Sequence, residues 1–361
     1  DPIGPRHLSL LKYFVKHPLS TISNVARELG CHPETVSKRL SYLKNNYWMR
    51  IQATSNRWAF GLRSFLLFFD LTQEMTAAKF FESVTNYPFF HTFYEDRINH
   101  HHYLSFLFPS DSDIVDEFIQ SMKKLAKLTF RYWNLQEGVA YGFSNNMDLL
   151  TERGWSLPNN LLEQTDSPML SKEFQPTIRM CEFDDSLSPT DLVLSGYLSH
   201  NCRMTSKYLS NALHSIGISI SPSSAYHRRR KLLTKGIVVP LTMWFDRKDS
   251  AHLRFEVTGS LRVRNEILAS ALRMPEVAYY ITSESLILWL SIPIEHVKEY
   301  VQFCEIKSKS ERVKHKRLVI GKAWSGSGPL IDIVKDWKFG SNGYTVEGLD
   351  INPNLTDYIL F

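Results

Sequence analysis

The sequence predicts an α+β fold made of two tandem repeats, each a three-helix unit with a β-hairpin wing followed by a β-α-β-β-α-β domain. Three observations predict it: a self-similarity at an offset of 189 residues, a switch from helical to strand-like periodicity in each half, and two acid-free basic stretches at matching places.

Size and composition set the frame. A chain of 361 residues with 43 % hydrophobic content can bury ample core and form two or more domains. The four cysteines (Cys31, Cys181, Cys202, Cys304) are far apart with no CxxC pair, which points to a reducing cytoplasm rather than a zinc ribbon or a disulfide framework. No run of about 18 uncharged apolar residues occurs, and the opening DPIGPRHLSLL lacks the basic flank and apolar core of a signal peptide. A cytoplasmic protein without a membrane partner is expected.

The first repeat begins with helical patterns at 8–17 and 21–30, then HPETVSKRLSYLKNNYW from His32. The second begins with patterns at 188–200 and 204–217, then SPSSAYHRRRKLLTKGI from Ser221. Pro33 aligns with Pro222, Arg39 with Arg228 and Leu43 with Leu232. Each proline opens its helix where a missing N–H costs nothing, and Gly30 and Gly217 stop the helix before it. Three helices with a tight turn before the third is the helix-turn-helix order.

Strand-like alternation follows. YWMRIQATSNRWAFGL (47–62) reads as a hairpin wing turning at Ser55, Asn56 and Arg57, and 237–257 as its counterpart with Arg247 and Lys248 at the tip. Next come strand 64–71, helix 74–87, strands 89–96 and 102–109, helix 113–126 and strand 128–135, and the second half repeats this order from His252 to Trp324. That is the split-βαβ, ferredoxin-like order. The expected boundaries are 1–62 (winged helix), 63–137 (ferredoxin-like), 138–187 (short helix and linker), 188–250 (winged helix), 251–324 (ferredoxin-like) and 325–361 (C-terminal extension). The two ferredoxin-like domains are expected to cover each other as an intramolecular pseudo-dimer, with self-association of chains through them also open. SGSG at 325–328 reads as a turn.

This order resembles the Lrp/AsnC (feast/famine) family of prokaryotic transcription regulators in tandem duplication. Pro33, Val36, Arg39 and Leu43, and Pro222, Ala225, Arg228, Leu232 and Gly236, stand where that family's recognition helix has its pattern; Tyr47 stands where its glycine is expected, and Arg229 replaces an apolar residue. The resemblance implies a non-enzymatic transcription regulator, or a chromatin-like protein, that binds double-stranded DNA.

Charge agrees with that implication. The net charge is only +5, but 35–69 holds six basic residues and no acid, and 192–245 holds seven and no acid, while 70–185 carries 18 acids against 9 bases. The expected DNA-facing set is Thr35, Ser37, Lys38, Arg39, Tyr42 and Arg57 in the first repeat, with Ser223, Ser224, Tyr226, His227, Arg228, Arg229, Arg230, Lys231, Arg247 and Lys248 in the second. The two reading helices differ, so an asymmetric site is expected.

No catalytic triad, Walker loop or dinucleotide loop is present, and no catalytic residue, metal or cofactor is expected. The run His100–His102 has no acid or cysteine at ligand spacing. Both strand-strand loops lack the glycine of the family's effector motif, which argues against a small-molecule effector. Two alternatives stand beside the regulator: a protein-contact winged helix, and a tetrapyrrole enzyme. The second rests on a resemblance to sirohaem decarboxylases, which share the two-domain architecture and use His and Arg around a tetrapyrrole. His91, Arg97 and His100–His102 lie in the corresponding region.

Overall fold

The computed structural model describes residues 3–72, 74–96, 102–110, 113–157, 177–243, 250–310, 316–320, 323–327, 338–340, 343–345, 352 and 354–359. Arg97, Asn99, His100, His101, Arg247 and Lys248 lie outside them.

The first repeat starts with α1 (Pro5–Lys16), α2 (Ile22–Glu28) and α3 (Pro33–Tyr47). Thr21 caps α2 through the amide of Asn24, and Pro33 opens α3 as its fixed φ favours. Leu10, Leu11, Phe14, Val25, Val36 and Leu43 close the small core between them. Then follow β1 (Arg50–Ser55), a single 3-10 turn at Trp58–Phe60, β2 (Leu62–Leu71), α4 (Ala77–Val84), β3 (Phe90–Asp96), β4 (His102–Pro109), α5 (Ile114–Thr129) and β5 (Phe130–Asn145). Short pieces β6 (Leu150–Thr151), β7 (Gly154–Trp155) and β8 (Ile178–Arg179) lead out. In the segment expected to hold a short helix and linker (138–187), residues 147–155 form one 3-10 turn, Met147–Leu149, and the β6–β7 hairpin.

The second repeat has α6 (Pro189–His200), α7 (Ser206–His214), α8 (Pro222–Thr234), β9 (Val238–Met243), β10 (Ser250–Thr258), α9 (Leu261–Ala271), β11 (Glu276–Thr282), β12 (Ser285–Pro293), α10 (Val297–Ser310) and β13 (Lys316–Ile320). The chain continues through β14 (Ala323–Ser327), β15 (Lys338–Gly340), β16 (Gly343–Thr345) and α11 (Leu355–Ile359).

The wings differ from the expectation. β1 pairs not within its own half but antiparallel with β9, from Arg50 opposite Met243 to Ser55 opposite Val238. β1 alternates buried and more exposed side chains, β9 buries Val238 and Thr242, and each covers helices of the other unit: β1 lies on α6, where the Cys202 amide bonds the Ile51 carbonyl, and the Thr242 hydroxyl bonds the Phe14 carbonyl. One shared two-stranded sheet replaces two hairpins because pairing across the pseudo-twofold satisfies both inner edges at once.

Both larger domains have the ferredoxin-like strand order, β5-β2-β4-β3 and β13-β10-β12-β11. Their helices cover one face: Phe69, Phe80, Phe81, Phe106 and Phe118 fill the first core, and Ile267, Leu268, Leu288 and Tyr300 the second. The other faces meet. Leu66, Phe68 and Tyr103 pack against Ile287, with Trp289 edge-on to Tyr103 at 5.8 Å. Between them the buried Glu256 accepts from Asn134 at 2.7 Å and Gln136 at 3.4 Å, and Gln136 in turn accepts from Thr282 and Ser285.

The last strand of each repeat outgrows its own sheet. β5 pairs with β2 over Phe130–Glu137 and then with β11 over Gly138–Asn145. β13 pairs with β10, and β14 pairs with β3. The SGSG segment read as a turn is therefore mostly strand, since the sheet edge it completes belongs to the distant first repeat.

Candidate functional site

The basic run on α8 is spent inside the protein. Arg228 donates to Asp191 at 3.0 Å and to Ser188 at 2.9 Å, and the Asp191 side chain is wholly buried. Asp191 also completes the capping box of α6 by accepting from the Ser188 amide. Arg229 donates to the carbonyls of Cys202 and Met204 at 2.8 and 2.9 Å. Lys231 reaches the Ser186 carbonyl and stands 3.9 Å from Asp191. Lys235 bonds Asp184 at 2.7 Å and Ser186 at 2.8 Å. Burial alone would raise the Asp184 carboxyl, but the Lys235 and Ser186 hydrogen bonds outweigh it and hold it at about 2.

The remaining expected DNA contacts are scattered. Ser223, Tyr226, His227 and Arg230 are exposed, with His227 beside the Tyr226 ring, and the Ser224 amide is taken by the Ser221 cap. On α3, Lys38 pairs with Glu34 at 2.8 Å, Tyr42 lies against His7 at 4.6 Å, Ser37 is exposed, and Thr35 and Arg39 are half-buried.

Arg57 has a different setting. It sits not at a wing tip but in the turn Asn56–Arg57–Trp58, between β1 and β2, where the Asn56 amide is fixed by the Ile237 carbonyl and Gly61 takes φ 71° to release the chain into β2. Its guanidinium is half-buried and acts on three buried or half-buried groups, His91, Tyr141 and Tyr280. Among the described residues no carboxylate pairs with it, whereas its neighbour Arg63 is matched bidentately by Glu137 at 2.7 and 2.8 Å. The residues flanking Arg57 also carry unmet polar atoms. Asn56 Nδ2 bonds the Arg179 carbonyl and the Cys181 thiol, but its Oδ1 has no partner among the described residues, and neither has the buried Trp58 Nε1.

Three aromatic rings line up beside this turn. Trp58 and Tyr141 lie 5.7 Å apart, and Tyr141 stacks on Tyr280 at 5.1 Å with 21° between the planes. The Tyr141 hydroxyl bonds the Ser55 carbonyl, and Tyr280 faces Ser64 at 3.2 Å. Gly138 makes the stack possible, because a Cβ there would stand 2.3 Å from Tyr280 Cε1. Burial, reinforced by Arg57, pushes the His91 imidazole well below its usual range, so it is neutral. Burial raises both phenols against the pull of Arg57, so they stay protonated. The cluster combines a cation with no carboxylate partner among the described residues, neutral N–H and O–H groups and a row of aromatic rings. It suits a flat organic anion.

Sequence reasoning named Arg57 as a DNA contact and His91 under the tetrapyrrole alternative, and missed Asn56, Trp58, Tyr141 and Tyr280 as site residues. Of the histidine run, His102 is described, and its ring packs in the core between Phe69 and Phe81 at 5.3 and 5.5 Å.

The sequence matches no family profile and no curated protein. Two crystal structures share the architecture nearly end to end. The siroheme decarboxylase NirDL aligns over 88 % of this chain and 91 % of its own, with a TM-score of 0.52 and 11 % identity. The same protein in co-complex with an iron-uroporphyrin III analogue gives 0.51 and 10 % over the same shares. The likeness is one of fold. A transcriptional regulator from Neisseria meningitidis, in complex with L-Met, aligns over 37 % of the chain at a TM-score of 0.30.

Two expectations are corrected here. Structures that share the fold over both repeats are those of NirDL, a siroheme decarboxylase, so the comparison does not support the expected non-enzymatic, DNA-reading regulator. The physical reason is visible in α8. A charge count along the chain credited Arg228, Arg229 and Lys231 to a DNA face, although each is held by a carboxylate or carbonyl of α6 and its flanks. Among the described residues no helix is long and apolar enough to cross a membrane.

Proposed function

We propose that the protein binds a carboxylate-bearing tetrapyrrole at the Asn56–Trp58 turn and removes carbon dioxide from one of its carboxylate side chains. The observation that carries this reading is the half-buried Arg57, unanswered by any carboxylate among the described residues and set against neutral His91 and two protonated phenols. The fold likeness to NirDL, solved with an iron-uroporphyrin III analogue, supports it.

Each group has a role in that reading. The Arg57 fork takes the substrate carboxylate and orients it. Trp58, Tyr141 and Tyr280 supply an aromatic row against whose edge and outer rings a flat macrocycle packs. In such an apolar setting the carboxylate is poorly solvated, and leaving as neutral carbon dioxide relieves that cost. The C–C bond breaks, its electron pair passes to the ring-bound carbon and is delocalised over the macrocycle, and a proton from a phenol hydroxyl completes a methyl group. His91 offers an N–H to a carboxylate oxygen without adding charge. Asn56 Oδ1 and Trp58 Nε1 gain polar partners on binding. A single chain supplies the whole arrangement.

The test is mass spectrometry of iron-uroporphyrin III after incubation with the protein. Products lighter by successive losses of carbon dioxide, formed by the wild type and not by Arg57→Gln, are expected. An unchanged tetrapyrrole with the wild type contradicts the reading.

A further inference from the structure

The two acid-free stretches of the sequence need an explanation that the Arg57 site does not supply. The fold brings them together at the seam between the two helical units. Lys44, on α3, comes from the first stretch; Arg203, after α6, and Arg229, on α8, come from the second. The shared β1–β9 sheet sets the seam, since the Cys202 amide is bonded to Ile51 of β1. Arg203 then reaches across to the other unit and lies over the Phe14 ring of α1 at 4.8 Å. Arg229 is fixed beside it by the carbonyls of Cys202 and Met204.

The donors there are not all used. Arg203 Nη1 and Arg229 Nε are buried and have no hydrogen-bond partner among the described residues. No carboxylate among the described residues pairs with Lys44, Arg203 or Arg229. Instead the cations oppose one another: burial lowers Arg203 and Lys44, and Arg229 lowers Arg203 further, as Arg203 does Lys44. Three cations gathered from two repeats, with guanidinium N–H groups left over, form a cluster of positive charge that a compact oxyanion would neutralise.

We propose that the seam formed by Lys44, Arg203 and Arg229 binds a phosphate-type oxyanion, as inorganic phosphate or the terminal group of a phosphate monoester, and that this anion clasps the two helical units together. A dianion with several oxygens answers guanidinium forks and an ammonium simultaneously, which chloride or a monocarboxylate does not. The proposal is independent of the tetrapyrrole reading: it uses other residues and another part of the fold.

The experiment is thermal unfolding of the full chain in inorganic phosphate, with sodium chloride balancing ionic strength, for the wild type, Lys44→Gln and Arg203→Gln. Phosphate should raise the wild-type Tm saturably, by roughly 2–3 °C once it exceeds its Kd tenfold. Lys44→Gln should weaken the apparent affinity by about tenfold, and Arg203→Gln should abolish the shift. Lys44 keeps much of its side chain in solvent and only part of it against the fold, so its variant tests the site even if Arg203→Gln destabilises the fold. Phosphorus NMR of phosphate with and without the protein gives a second readout, with line broadening expected for the wild type and lost in Lys44→Gln. Adding a phosphate monoester separates the two sources: competition at lower concentration assigns the site to the ester, and its failure assigns it to free phosphate. An equal Tm rise in all three proteins, or none beyond that of chloride, overturns the proposal.

Discussion

Arg228 donates to the Oδ1 of a fully buried Asp191 at 3.0 Å, joining the third helix of the second repeat to the start of its first. This contact turns the most conspicuous charge run in the sequence into a structural tie. It also gives the first prediction. Arg228→Ala leaves a carboxylate buried without its main partner and should cost about 3–5 kcal/mol, seen as a lower urea midpoint with unchanged slope. Arg230→Ala, one turn-face away and exposed, should change stability by less than about 0.5 kcal/mol.

Acid should act through His91. Its folded pKa is depressed, first by burial and then by Arg57, so below about 6.5 the unfolded chain binds a proton that the folded chain refuses. The stability is fully present above that pH and is lost as pH falls toward the folded pKa, at up to about 1.4 kcal/mol per pH unit. His91→Phe should remove one proton from this slope in urea melts measured from pH 7 to 5. Arg57→Gln should move the His91 titration upward in NMR.

Gly138 and Gly142 are expected to resist substitution. A Cβ would stand 2.3 Å from Tyr280 Cε1 at the first and 2.1 Å from the Tyr279 hydroxyl at the second. Alanine at either position should cost about 1–3 kcal/mol. Only Gly138→Ala should also weaken tetrapyrrole binding, because it displaces the stacked Tyr280; thermal melts and ligand titrations of the two variants separate these effects.

Much of the fold was legible because its signals are local. Pro33 and Pro222 mark two helix starts, and the short apolar runs SFLLFFDL and SLILWLSI belong to single strands. The pairing of β1 with β9 was not, because Arg50 meets Met243 across most of the chain and periodicity names a strand without naming its partner. Arg228 misled for the same reason: its counter-charge lies 37 residues upstream, outside any local charge count. Arg57, His91, Tyr141 and Tyr280 converge from β1's end, β3, β5 and β11, so no motif spacing could have joined them. His91 was reached only through the resemblance to sirohaem decarboxylases, not through spacing.

The central claim is that Arg57 holds a carboxylate of a stacked tetrapyrrole. The most direct measurement is a titration of iron-uroporphyrin III with the protein, followed by its Soret absorption, for the wild type, Arg57→Gln and Arg230→Gln. A saturable band shift is predicted for the wild type and Arg230→Gln, with affinity reduced roughly 10- to 100-fold in Arg57→Gln. Equal affinity in all three proteins, or no shift with the wild type, would contradict the account.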